Sequence, residues 1–293
     1  RDALRMKAKQ PPHLLVMTAT PIPRTVAMTV FGDLDISTLK ELPSGRVAIT
    51  THIIPVLQKP HFLSRAWDRV KEEVAKGHQV YIVAPRIVNP NKKLTEREII
   101  AAQLLGEEYL DNEQMSAVEE LAPELASGEL SGLKIATLHG RQSSDLKEQT
   151  MVAFAKGEID VLVSTTVIEV GVDVANASMM VIMDADRFGI SQLHQLRGRV
   201  GRGSVAGLCL LVTSAQDDSQ SMQRLNALAA TLDGFELARL DLEQRKEGDV
   251  LGRSQSGGRS HLRLLRVLRD ENLIDSARGV ALKILDVYPE INH

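Results

Sequence analysis

Cysteine is almost missing from this sequence: Cys209 is the only one in 293 residues. One thiol cannot close an internal disulfide, so the chain fits a reducing compartment. Its setting, the apolar run Leu208-Cys-Leu-Leu-Val-Thr213, points to strand core and not to a nucleophile. Aromatic residues are scarce, at 3%, and base-stacking platforms for single strands are built from such rings. Neither sign of charge dominates. With 35 Lys and Arg against 38 Asp and Glu, the net charge is −3, so a polyanion would have to be met by a local basic patch. No apolar run reaches membrane-spanning length, and no signal-peptide pattern is present. Two further absences concern chemistry. There is no Gly-x-x-x-x-Gly-Lys-Ser/Thr phosphate loop, and no Asp-Glu-x-His or Asp-Glu-Ala-Asp run to hold magnesium. The sequence starts at Arg1, inside a polar stretch and not at Met, which reads as part of a longer protein.

What is present is a globular composition, 43% hydrophobic and 25% charged. Apolar runs of strand length recur at 50–56, 79–84, 134–138, 160–164, 179–184 and 207–213. Helical segments fall near 61–76, 95–110, 116–126, 144–156 and 190–199. This alternation predicts an α/β fold, a parallel sheet with helices on both faces. Lys156-Gly157 marks a helix end. The span 87–132 is longer than a crossover needs and is read as a loop plus an extra helical piece. Upstream, 13–17 reads as a buried strand running into Thr18-Ala-Thr-Pro-Ile-Pro-Arg24, with a helix from about 25 to 30. Pro43 and Gly45 mark a break before the main repeat. Residues 214–293 lack strand periodicity and read as helical, interrupted by the Gly/Ser-rich loop Leu251-Gly-Arg-Ser-Gln-Ser-Gly-Gly258.

The chain is organised around Gln192-Leu-His-Gln-Leu-Arg-Gly-Arg-Val-Gly-Arg-Gly203. If the helix continues, Arg199 and Arg202 share a face. The neighbouring glycines would let another surface approach. Guanidinium forks match pairs of phosphate oxygens. The blander reading is a solvated basic face, but that would not call for glycines costing about 1 kcal/mol each inside a helix. Other candidates sit where strands end, the place ligands gather in open α/β sheets. His139, in Thr137-Leu-His-Gly-Arg141, is by type more often structural than catalytic. Thr165 and Thr166, in Ser164-Thr-Thr-Val-Ile-Glu-Val-Gly-Val-Asp173, could bond a phosphate backbone. Asp173 could equally be a turn residue, and Asp184 or Asp186 could simply cap the region before the arginines.

In order along the chain, these stretches resemble the motifs of superfamily 2 helicases. Thr18-Ala-Thr20 is similar to motif III, Ser164–Asp173 to motif V, and Gln195-x-x-Gly198-Arg199-x-Gly201-Arg202 to motif VI. Asp233-Gly-Phe235, Asp241-Leu-x-x-Arg245, Gly248, Leu251-Gly252 and Gln255-x-Gly257 resemble the translocation motif shared by the RecG and Mfd families. Lys246-Glu247 departs from the usual Gly-Pro or Gly-Ala there. The segment 33–46, with Asp33-Leu-Asp35 and Glu41-Leu-Pro-Ser-Gly-Arg46, and the tail from His261 favour RecG. The resemblance covers almost the whole chain, from motif III onward.

The resemblance implies a RecA-like architecture: the end of a first lobe at 1–31, a linker at 32–46, a second lobe at 47–213, and a helical translocation region with tail at 214–293. It implies ATP with Mg²⁺, both held mainly by a first lobe outside this sequence. Arg199 and Arg202 become arginine fingers and catalytic residues, with Gly171, Asp173 and Gln195 also facing nucleotide. Thr18, Thr20, His139, Thr165, Thr166, Arg245 and Gln255 become DNA-binding or coupling residues, and no residue is assigned to a metal. The implied partner is branched double-stranded DNA, namely stalled forks and Holliday junctions, handled in recombination and repair by a bacterial enzyme of the cytoplasm and nucleoid. No membrane partner is implied, and contact with a single-stranded-DNA-binding protein is left open. The alternatives are an Mfd-like transcription-repair translocase and a non-catalytic nucleic-acid-binding module. Without a phosphate loop, the chain alone is expected to be inactive as an ATPase.

Overall fold

The computed structural model describes residues 15, 17, 37, 48–86, 117–169, 173–203, 205–244 and 271–288. Its centre is one parallel sheet of six strands: β1 Ile49–Pro55, β2 Gln79–Val83, β3 Ile135–Leu138, β4 Val161–Ser164, β5 Ala177–Ile182 and β6 Gly207–Thr213. Their spatial order is β1-β6-β5-β2-β4-β3, and each neighbouring pair is parallel. Parallel neighbours need crossovers, and helices supply them. They are α1 His61–Ala75, α2 Val118–Ser127, α3 Ser144–Ala155 and α4 Ile190–Arg197, followed by α5 Gln220–Ala230, α6 Gly234–Gln244 and α7 Glu271–Val287. Short 3₁₀ turns follow β4 (Thr166–Glu169) and β5 (Ala185–Arg187).

Strands buried on both faces read as continuous apolar runs, and every residue of β2, β4 and β5 is buried. Side chains still alternate. Tyr81, Val83, Met180, Ile182, Cys209 and Leu211 face a core closed by α3, α4, α5 and α6 through Phe154, Leu193, Leu196, Leu225, Leu228 and Leu237. Val80, Ile82, Met179, Val181, Leu210 and Val212 face the opposite core, closed by α1 and α2 through Ala66, Trp67, Val70, Val118, Leu121 and Leu125. The expected parallel sheet with helices on both faces is therefore the observed one. Cys209 lies in strand core as expected, and burial pushes its thiol up to about 12.

Local signals set the helix ends. Ser143 Oγ accepts from Leu146 N at 3.3 Å, and Ser219 Oγ accepts from Met222 N at 3.1 Å, so both hydroxyls cap a helix N-terminus. After α3, Gly157 takes φ +78, the left-handed turn that ends a helix.

Two expectations shift. β5 runs from Ala177 to Ile182 and not over 179–184, because Asp184 turns the chain with φ +47. In the run read as a buried strand at 13–17, Leu15 and Met17 are 79% and 82% exposed and belong to no strand. An apolar run becomes a buried strand only against a partner that hydrogen-bonds and covers it, and by the resemblance that partner belongs to a first lobe held mainly outside this sequence. The helices expected near 25–30 and 95–110 and the loop at 251–258 lie outside the described residues, as does all of the 32–46 linker except Ser37. Of 87–132, the described part carries α2 and the turn after it.

Candidate nucleotide and nucleic-acid edges

Chain direction places the candidate residues at two edges of the sheet. At the amino edge, β5 and β6 begin, and the loops leading into them carry Asp173 and the arginine motif. At the carboxyl edge, the neighbouring strands β3 and β4 end in register, Leu138 beside Ser164. His139, Thr165 and Thr166 follow there.

The arginine motif is not one continuous helix. α4 ends at Arg197 with Gly198 as its C-cap, so the expectation of a helix to 199 is corrected. Arg199 and Arg202 do not share a helical face. They converge because the chain turns at Gly201, whose φ is +66. A Cβ on Gly201 would lie 3.1 Å from Gly207 N and 3.2 Å from the Ile49 side chain. One on Gly203 would lie 2.6 Å from Ala175 O. The glycines do admit a close surface, and that surface is this chain's own strand starts. Val200 is fully buried between the two arginines.

Both guanidiniums reach one carboxylate oxygen. Arg199 Nη1 lies 3.6 Å from Asp173 Oδ1, and Arg202 Nη1 is paired with the same atom. Arg202 Nε also donates to Gly198 O at 2.8 Å. The Asp173 side chain is 61% exposed, against 19% for Arg199 and 28% for Arg202. The site is therefore a pair of half-buried cations converging on the oxygen of a more exposed carboxylate, and the two guanidiniums are a donor set that fits a phosphate. Gln195 is half-buried on α4. Tyr81, on the central strand β2, was not anticipated from sequence, since its run reads as plain strand. Burial pushes its hydroxyl up to about 12, while the nearby charges of Arg199 and Arg202 pull the other way and Asp173 adds to the rise.

Arg197, the third arginine, does something different. It is 1% exposed. Its Nη1 donates to Leu228 O at 2.5 Å and Thr231 O at 3.0 Å, and Nη2 lies 2.9 Å from His194 Nδ1. A cation thus sits at the C-terminal end of α5, where helix carbonyls concentrate negative charge. It ties α4 to the entrance of α6, which also packs on α4.

At the carboxyl edge His139 is buried, 8% exposed, and its Nδ1 has no hydrogen-bond partner. Its Nε2 lies 3.8 Å from Glu119 Oε1. Burial lowers its pKa; Glu119 opposes this, and the positive charges of Arg141 and Lys147 add to it. Thr165 is 7% exposed and Thr166 half-buried, so Thr166 is the more accessible hydroxyl. The 3₁₀ turn after Thr165 packs against α4, which joins the two edges across one face of the sheet. Asp186 accepts from Thr213 Oγ1, and its carbonyl accepts from Arg224, so it does structural work beside the arginine motif, while Asp184 makes no side-chain cap. Thr18, Thr20, Gly171, Arg245 and Gln255 lie outside the described residues.

Residues 65–204 match the model of the helicase conserved C-terminal domain, and residues 231–293 match domain 3, C-terminal, of the ATP-dependent DNA helicase RecG. An ATP-dependent DNA helicase RecG from Mycobacterium leprae is 53% identical over 99% of this chain and 38% of its own length. The corresponding protein of Streptococcus pneumoniae is 42% identical over 98% of this chain and 39% of its own length. A solved structure of RecG bound to a three-way DNA junction aligns with TM-score 0.64 and 34% identity, covering 91% of this chain and 31% of that one. The chain thus spans well under half the length of the relatives it matches. With the arginine motif, the sheet that carries it and the helical region behind it all matched, the chain belongs to the RecG family.

Proposed function

We propose that this chain is the second motor lobe and translocation region of an ATP-dependent DNA helicase that remodels branched duplex DNA, such as stalled forks and Holliday junctions, in recombination and repair. The division into a first-lobe end at 1–31, a linker at 32–46, a lobe at 47–213 and a translocation region at 214–293 is part of this proposal. The observation that carries it is the convergence of Arg199 and Arg202 on one anionic oxygen at an exposed edge. Positive charge fixed in place before the reaction stabilises a phosphoryl group as charge develops on it.

ATP supplies the phosphoryl group to be transferred, and Mg²⁺ is assigned with the triphosphate to the first lobe. From this chain, Arg199 and Arg202 face the transferring phosphate, while Gly171, Asp173 and Gln195 complete the nucleotide side. His139, Thr165 and Thr166 line the edge assigned to DNA, where the accessible Thr166 hydroxyl and the positive charges of Arg141 and Lys147 suit phosphate oxygens. Thr18, Thr20, Arg245 and Gln255 are assigned to passing the ATP state to the DNA grip. The relative solved with a three-way junction supports branched DNA as substrate. Such an enzyme would act in the cytoplasm, at the nucleoid.

The test compares ATPase rates of the full-length protein and its Arg202→Ala variant on forked and linear DNA. Fork-stimulated hydrolysis is expected, with a loss of about 10³-fold or more in the variant, the size an arginine finger supplies. A full-length protein without ATPase would instead leave the arginines as phosphate anchors of a nucleic-acid-binding module.

A further inference from the structure

Building on the reading of Arg199 and Arg202 as phosphate ligands, we propose that the Asp173 carboxylate occupies the phosphate position in the nucleotide-free protein, and that a triphosphate must displace it to engage the arginines. Both guanidiniums reach the same Asp173 oxygen. The carboxylate is the most exposed of the three groups: Asp173 is 61% exposed, and the arginines are 19% and 28% exposed. The arginine loop itself has little room to swing outward. Val200 is fully buried, Gly201 sits against Gly207 and Ile49, and Gly203 sits against Ala175. Arg202 Nε is further tied to Gly198 O. Exchange therefore falls to the exposed carboxylate. A carboxylate and a terminal phosphate offer the same thing to a guanidinium fork, negative oxygens that accept hydrogen bonds. Until displaced, Asp173 keeps two closely spaced cations neutralised and weakens their hold on phosphate.

This role differs in sign from simple pre-orientation. If Asp173 only steadied the arginines, removing its charge would weaken phosphate binding; if it competes, removal strengthens it. Inorganic triphosphate is the probe, because it lacks a ribose and so isolates the phosphate exchange from any sugar contact. The 293-residue chain is titrated while the Nε–Hε resonances of Arg199 and Arg202 are followed by NMR. Asp173→Asn keeps the shape at an exposed position, and its amide spectrum reports that the fold is retained. Its triphosphate affinity is expected to rise about fivefold, the size supported by a partly exposed ion pair. Asp173→Glu restores the charge and is expected to bring the affinity back down towards that of the unaltered chain. Equal or weaker binding by Asp173→Asn overturns the proposal and leaves the arginine assignment standing. Arg202→Ala is expected to lose the triphosphate response. If the response persists there, Arg202 is not a phosphate ligand, and the displacement model falls with it.

Discussion

Arg197, Arg199 and Arg202 lie within six residues of sequence and do different work because they are buried differently. Arg197 is 1% exposed and spends its hydrogen bonds on the carbonyls of Leu228 and Thr231. Arg199 and Arg202 keep part of their surface and meet Asp173 at the edge of the sheet. Arg199 and Arg202 are brought together by the turn between them, and that turn depends on Gly201. At φ +66, with a Cβ position 3.1 Å from the Gly207 backbone, Gly201 has neither the backbone conformation nor the space for a side chain. Gly201→Ala is expected to cost about 1–3 kcal/mol of stability. Urea denaturation would show it as a lower midpoint at unchanged slope. An unchanged midpoint would mean that the loop relaxes and that the glycine is not what holds the arginines together.

At the scale of elements, α1 is fastened to the sheet by a buried carboxylate. Glu73 is 5% exposed. It accepts from His78 Nδ1 at 2.8 Å, Ser178 Oγ at 2.7 Å and Lys76 Nζ at 3.0 Å, and pairs with Arg69 at 2.8 Å. Ser178 lies on β5, so this cluster joins the end of α1 to the central strands. Burial works against ionisation of Glu73, yet the bonds from His78, Ser178 and Lys76 and the charge of Arg69 outweigh it and hold the carboxyl at about 2, against an ordinary 4.5. A carboxylate with a lowered folded pKa stabilises fully above its unfolded value, and that contribution is lost as pH falls from about 4.5 towards about 2. Glu73→Gln is therefore expected to cost roughly 3 kcal/mol at neutral pH. The gap to the unaltered protein should narrow steadily below about pH 4.5, as measured by urea denaturation across that range. A gap of constant size would assign the effect to packing and not to charge. His139 acts in the same direction: its folded pKa is lowered from 6.5, chiefly by burial, so its contribution is present above that value and fades as pH falls through it.

For the molecule as a whole, one sheet carries two sets of residues on opposite edges, and α4 and the turn after β4 run between them on the same face. On the proposed reading, movement at the arginine edge has a packed route through α4 to the edge that carries His139, Thr165 and Thr166 and, through Arg197, to the helical region behind. On the proposed reading this sequence carries half of a nucleotide site, because it contains neither a Gly-x-x-x-x-Gly-Lys-Ser/Thr phosphate loop nor an Asp-Glu run for magnesium. The 293-residue chain by itself is expected to show no steady-state ATP hydrolysis, with or without forked DNA. Turnover that also survives Arg202→Ala in the purified chain would sink that expectation.

The sequence by itself determined the alternating strands and helices, because runs such as Asp160-Val-Leu-Val163 and Leu208–Val212 are apolar over strand length and can be buried only in a sheet covered on both faces. It determined the Gly157 stop and the identity of the arginine motif, since those depend on neighbouring residues alone. Tertiary structure decided the rest. α4 ends locally, at the Gly198 cap, but the path of the loop beyond it is set by Gly201 against Gly207 and Ile49 and by Gly203 against Ala175, contacts with Ile49 and Ala175 that no local pattern reports. The pairing of Asp173 with Arg199 and Arg202, the buried role of Arg197, and the closeness of Tyr81 to the arginines arise only when the parallel strand order brings the starts of β5 and β6 together. Local propensity acts over a few residues, whereas the chemistry of this site is assembled from segments that meet only in the folded sheet.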